Sequence, residues 1–171
     1  ASWQEPDEVS VIKISRKWED GDQVMLKLPM KIKTNYWDQY SVAVERGPLV
    51  YALRIGEQWK RMSDEHHQDF YEVYPTEPWN YAILDDAVRN IEQYFTVEEK
   101  EVSGYPWNLE NAPITIKTKA KRLPQWELYN GMAGPLPCSP QYHADDQDVE
   151  DITLIPYGCT TLRISEFPVV R

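Results

Sequence analysis

Short runs in which apolar and polar residues alternate dominate the chain, and alternation with period two is the mark of a strand with one buried face. Val9, Val11 and the Ile12-Lys13-Ile14 step read as one strand, and Val24-Met-Leu-Lys-Leu28 as a second, with Val24, Leu26 and Leu28 on one face. Glu19-Asp-Gly-Asp22 lies between them. Asp20-Gly21 favours the positive φ of a tight hairpin turn, and Pro29, which donates no ladder hydrogen bond, ends the second strand. Further on, Val42 and Val44 face one way and Ala43 and Glu45 the other, Gly47-Pro48 breaks the run, and Leu49-Val-Tyr-Ala-Leu53 resumes it. This last run is apolar on both faces, which predicts a central strand covered twice. Phe70 to Tyr74, Trp79 to Ile83, Tyr94 to Val97, Ile114 to Ala120, Trp126 to Leu128, Ile152 to Ile155 and Thr161 to Ile164 are further strand candidates. Their number and spacing predict an all-β fold, an antiparallel β-sandwich of jelly-roll-like form.

At most one short helix is expected. Asp85-Asp-Ala-Val-Arg-Asn-Ile-Glu-Gln-Tyr94 carries acids at its start and places Val88, Ile91 and Tyr94 at helical spacing. An irregular connector is the alternative, because an isolated helix of this length is marginal in water.

The pattern fades between Gly56 and Asp69, where Trp59-Lys-Arg-Met-Ser-Asp-Glu-His-His-Gln68 is polar and without alternation. This predicts a linker over 59–69, dividing the chain into 1–58 and 70–171. A second irregular stretch, from Asn130-Gly-Met-Ala-Gly-Pro-Leu-Pro-Cys-Ser-Pro140 to Asp151, combines Gly, Pro and acids and exceeds an ordinary hairpin loop.

A length of 171 residues suits one compact domain or two small ones. The formal charge of −10 argues against a nucleic-acid partner, since phosphate binding requires clustered Lys and Arg. No apolar run approaches the roughly 18 to 20 residues of a membrane span. The first residue is Ala1 rather than Met, in keeping with a fragment of something longer. Cys138 and Cys159 are the only cysteines, enough for a single bridge if their loops meet, although isolated cysteines in β-proteins are more often small buried apolar groups.

Catalytic patterns are thin. A glycosidase needs two carboxylates roughly 5 to 10 Å apart, and among 28 acids some pair meets that distance by chance. Glu45 beside Arg46 reads as an edge or interdomain ion pair. His66 and His67, next to Asp64 and Glu65, lack the spacing of zinc ligands and read as solvated. His143, Asp145, Asp146, Asp148, Glu150 and Asp151 offer hard donors without the glycine-turned spacing of a calcium loop. Neither cysteine has a His or Lys nearby in sequence to lower its pKa. No catalytic residue, metal ligand or cofactor is therefore assigned. Aromatic residues near Pro-rich turns remain: Trp79, Tyr81, Tyr105, Trp107, Trp126 and Tyr129. Their rings suit core packing, a protein interface or the face of a sugar, and for carbohydrate binding the candidates are Trp79, Tyr105, Trp107 and Trp126.

Several segments, taken in order, resemble the β-sandwich portion of β-L-arabinofuranosidase-type glycoside hydrolases. Trp18-Glu-Asp-Gly-Asp-Gln-Val24 with Leu28-Pro-Met30, and Glu45-Arg-Gly-Pro-Leu-Val-Tyr51, are similar to that family's middle sandwich. Tyr74-Pro75, Pro78-Trp-Asn-Tyr-Ala82, Ala112-Pro113 with Lys117, Lys119 and Ala120, Ile152-Thr-Leu-Ile-Pro-Tyr-Gly158, Leu162-Arg163 and Phe167-Pro168 resemble its C-terminal sandwich. The resemblance implies that 1–58 is a partial middle sandwich and 70–171 the C-terminal one. It further implies a partner, an N-terminal α/α barrel bearing a zinc-associated cysteine nucleophile, none of which is visible in these residues. On this reading the chain is a non-catalytic ancillary region that supports the barrel or makes homo-oligomer contacts, and a polysaccharide-degrading parent points to export. The alternatives are an independent carbohydrate-binding module and a protein-interaction sandwich without a sugar connection.

Overall fold

The computed structural model describes residues 13–66, 68–141, 144 and 146–171. In chain order the strands are β1 (Ile32–Tyr36), β2 (Val42–Arg46), β3 (Leu49–Leu53), β4 (Glu57–Ser63), β5 (Asp69–Pro75), β6 (Tyr81–Leu84), β7 (Thr96–Glu99), β8 (Ile114–Arg122), β9 (Leu128–Tyr129), β10 (Met132–Ala133), β11 (Val149–Pro156), β12 (Glu166–Phe167) and β13 (Val169–Val170). Two short helices, α1 (Asp85–Arg89) and α2 (Ile91–Tyr94), lie between β6 and β7.

The fold is all-β, as the alternation predicts. Nine strands form one sheet in the order β1-β2-β3-β11-β8-β6-β13, with β12 also on β2 and β7 also on β8. The sheet is mixed and curled: β13 runs parallel to β6, whereas the other pairings are antiparallel. The curl follows from the C-terminal strands. Phe167 sits opposite Val42 of β2, while Val169 sits opposite Ile83 of β6, so the short stretch 166–170 bridges two strands far apart in the sheet order. Pro168, which has no N–H to give, still accepts from the Ile83 amide at 2.9 Å.

Inside the curl the core collects Val42, Val44, Tyr51, Leu53, Ile83, Ile116, Leu154 and Phe167, all buried. Leu49–Leu53 occupies the central position expected of it, between β2 and β11. Its buried part is Tyr51, Ala52 and Leu53, while Val50 is exposed. The Gly47-Pro48 break is a two-residue hairpin turn joining Arg46 to Leu49, and Gly47 holds a φ of +58°. A Cβ at Gly47 would also run into the Met30 thioether, so the chain leading to β1 lies against this turn.

Several expectations are corrected. Val24–Leu28 is not a strand: Val24, Met25, Leu26 and Leu28 are exposed and no β partner engages them among the described residues. The turn before it does form, with Gly21 at a φ of +87° and the Asp22 amide donating to the Glu19 carbonyl at 3.1 Å. The proposed first arm, Val9 and Val11 to Ile12, lies outside the described residues. The segment 59–69, expected as a linker, contains most of β4 and the turn into β5; Trp59 pairs with Val73 and Arg61 with Tyr71 in a separate two-stranded ribbon. Strands from 1–58 and from 70–171 moreover share the main sheet, because β3 pairs with β11. Thr161–Ile164 is irregular, although the Leu53 amide donates to the Ile164 carbonyl at 2.7 Å.

The helical segment forms, but as two helices rather than one, interrupted at Asn90, whose φ of −126° and ψ of 60° lie outside the helical region. Asp85 pairs with Arg89 one turn on at 2.9 Å, and Ala87 and Val88 bury against the core. The excursion lets β6 and β7 flank the same edge of β8, β6 at its C-terminal end and β7 at its start.

Candidate functional site: an aromatic cleft beside the ribbon

The four aromatic candidates do not come together. Trp126 is buried in a small second core with Ala82, Leu123, Ala144 and Val170, and its indole N–H donates to the Gly134 carbonyl at 3.0 Å. Trp79, half-buried, meets Trp126 edge-to-face with ring centroids 5.0 Å apart. These two rings are packing elements, and Trp126 keeps no face for a ligand. Tyr105 and Trp107 are exposed, and Trp107 lines a different cavity from Trp79.

Trp107 belongs to a cleft of about 480 Å³ between β4, the 107–110 loop and the 158–163 loop. Trp59 lines the same cleft and was hidden from sequence reasoning because it lay in the supposed linker. Both indoles are substantially exposed, Trp59 at 54 % and Trp107 at 46 %. Each is also held in place. The Trp59 N–H donates to Glu57 at 3.1 Å, and Tyr71 meets its ring at 68° with centroids 5.9 Å apart. Trp107 rests on the backbone at Gly158, where a Cβ would lie 3.3 Å from the ring and crowd it.

Glu57 is the structural key of this corner. One carboxylate oxygen accepts from the Thr161 amide at 2.6 Å, the Thr160 hydroxyl at 3.0 Å and the Leu162 amide at 3.3 Å, while the other accepts from Trp59. Burial alone would push its pKa up, but these donors outweigh burial and hold the carboxyl below the ordinary glutamate value. The pull is mutual, since the carboxylate fixes the 160–162 turn against the ribbon.

Arg163 follows that turn. Its Nε donates to the Thr160 carbonyl at 3.0 Å and its guanidinium carbon stands 4.8 Å from the centre of the Tyr157 ring, a cation–π distance. No carboxylate forms an ion pair with Arg163 among the described residues, and the residue lines both this cleft and the larger cavity beside it. Across the cleft, Asn108 organises the 107–111 loop by accepting from the amides of Glu110 and Asn111 at 3.1 and 2.7 Å. The Glu110 side chain lines the cleft and is exposed.

A larger cavity of about 720 Å³ lies beyond Arg163, lined by Ile55, Val73, Trp79, Leu128, Met132 and Ile164 among others. It is mostly apolar and borders the small hairpin β9–β10. Asn130 and Gly131, with φ of +51° and +75°, form that hairpin's two-residue turn, so part of the stretch read as irregular is regular.

The remaining candidates resolve simply. Arg46 pairs with Glu99 at 2.6 Å, not with its neighbour Glu45. Cys138 is exposed and Cys159 buried, both free thiols. Burial pushes the Cys159 thiol up, which disfavours the thiolate. His67, His143 and Asp145 lie outside the described residues, and among the described ones no group of three or more His, Cys, Asp or Glu could hold a metal ion. No described helix is long and apolar enough to cross a membrane.

No protein-family model, no curated protein and no solved structure matches the chain.

Proposed function

We propose that the chain is a non-catalytic β-rich region that works beside the catalytic barrel of a glycoside hydrolase of the β-L-arabinofuranosidase type. The observation that carries this reading is a run of large apolar side chains that the described residues leave uncovered. Trp18, Val24, Met25, Leu26, Leu28 and Met30 are exposed ahead of β1, and Tyr36, Trp37 and Tyr40 continue the exposure into the β1–β2 connection. Apolar patches of this kind mark surfaces that another body covers. Val24–Leu28 also has the alternation of a strand but no strand to pair with among the described residues, in keeping with a segment whose partner belongs to a neighbour. The named sugar class comes from the ordered resemblance of the segments around Gly47-Pro48, Trp79 and Pro156, not from the geometry of a site.

The reading predicts that the chain alone leaves aryl arabinofuranosides intact. It also predicts that a separately produced α/α barrel of that family co-elutes with the chain in size-exclusion chromatography and loses this association when Leu26 and Leu28 are changed to Ser. Hydrolysis by the chain alone that disappears on changing a single carboxylate or cysteine would overturn it.

A further inference from the structure

The cleft between Trp59 and Trp107 has a chemistry that no supporting role requires. We propose that it binds a neutral saccharide, with the apolar C–H face of a sugar ring against Trp107 and its hydroxyls bonded to Arg163 and Glu110. This inference stands whether or not a catalytic barrel flanks the chain.

The platform comes first. A ring that is to receive a sugar must expose a face and already hold its orientation, because an indole that must be ordered on binding loses part of the gain as entropy. Trp107 meets both conditions, half exposed and in contact with the Gly158 backbone. Trp59 meets them through the Glu57 acceptor and the edge of Tyr71.

Polar groups then decide the ligand class. Arg163 is anchored through Nε and through Tyr157, which leaves a fixed fork of donors. Glu110 supplies acceptors. A donor fork and a carboxylate in one cleft match adjacent hydroxyls, each of which can give one hydrogen bond and accept another. A volume of about 480 Å³ falls in the range of small-ligand sites.

Charge excludes the nearest rivals. The cleft holds one guanidinium against the carboxylates of Glu57 and Glu110, in a chain of net charge −10, so a phosphate or a polyuronate would meet net repulsion. A proline-rich peptide also favours aromatic-lined grooves. It offers few N–H donors, however, and would leave the Glu110 carboxylate to water where sugar hydroxyls would engage it.

The test is titration of the chain with neutral arabino-, xylo- and cello-oligosaccharides, followed by tryptophan fluorescence and calorimetry. At least one should bind saturably with an affinity that does not change with ionic strength. Trp107→Ala and Arg163→Gln should each lower the association constant about tenfold, equivalent to ~1.4 kcal/mol. Trp107→Phe should retain most of it, and Tyr129→Ala, outside the cleft, all of it; circular dichroism of each variant checks that it is folded. The proposal is overturned by absence of binding across the panel or by binding that Trp107→Ala and Arg163→Gln leave intact. Preferential binding of a proline-rich peptide, or of a uronate oligomer in a salt-sensitive manner, would overturn it equally.

Discussion

β3 (Leu49–Leu53) and β5 (Asp69–Pro75) are both rich in apolar and aromatic residues, yet they live in different surroundings. β3 lies between two strands of the curled sheet, and Tyr51, Ala52 and Leu53 are sealed from solvent. β5 has one partner, β4, and Phe70, Tyr71 and Tyr74 remain exposed. An isolated two-stranded hairpin is marginal in water, so β4–β5 must borrow its order from elsewhere. The Glu57 carboxylate that grips residues 160–162 is one such tie, and the Thr76 amide, donating to the Gly56 carbonyl at 2.9 Å, closes the base of the ribbon. The curled sheet therefore holds the fold, while the ribbon leaves its aromatic side chains exposed.

The largest contrast should appear between two phenylalanines. Phe167, fully buried where the C-terminal strand bridges β2 and β6, should cost about 3–5 kcal/mol of unfolding free energy when changed to Ala. Phe70→Ala, on the exposed ribbon, should stay within about 0.5 kcal/mol. Urea denaturation followed by circular dichroism measures both, and equal losses would erase the distinction drawn between sheet and ribbon.

Gly47→Ala comes next. At a φ of +58° a side chain meets its own backbone, which should cost about 1–2 kcal/mol, and the new Cβ must also displace the Met30 thioether. Thermal unfolding of Gly47→Ala beside Met30→Ala separates the backbone cost from the displacement.

Glu57→Gln should lower stability by about 1 kcal/mol, modest because the site is partly open to water. Its signature is in the pH dependence. The folded pKa lies below the unfolded one, so the contribution is complete above the unfolded glutamate value and fades as the pH falls through the folded value. The wild-type chain should thus lose stability on acidification more steeply than Glu57→Gln. A difference between the two that does not change with pH would remove the carboxylate from its assigned role.

How much of this is legible in the sequence depends on burial. β2, β3, β8 and β11 announce themselves because their apolar residues face a core, and a core imposes alternation. β1 does not: Ile32-Lys-Thr-Asn-Tyr36 is a largely exposed edge strand, defined by pairing with β2 and not by its own pattern. β4 escapes for a related reason, since Glu57–Ser63 is largely exposed and polar and carries no alternation, and Trp59 is lost with it; its partner β5 is legible only because Phe70, Tyr71, Val73 and Tyr74 have strand-forming side chains. Val24–Leu28 is the converse, a strand pattern without a partner among the described residues. The Asn130-Gly131 hairpin signal was present but submerged among prolines and glycines. Of the candidate site, Trp107 could be read from its Pro-rich surroundings. Its companions Trp59, Glu57 and Arg163 line the same cleft from positions remote in the chain, which spacing cannot reveal.

Hydrogen exchange of the chain alone tests the division most directly, because amide protection reports local stability element by element. Amides of Val42–Val44, Tyr51–Leu53, Ile116–Ala120 and Ile152–Leu154 should exchange slowly, near the rate set by global unfolding, while those of Trp59–Ser63 and Phe70–Tyr74 exchange much faster. Protection of β4 and β5 equal to that of the sheet would contradict the account.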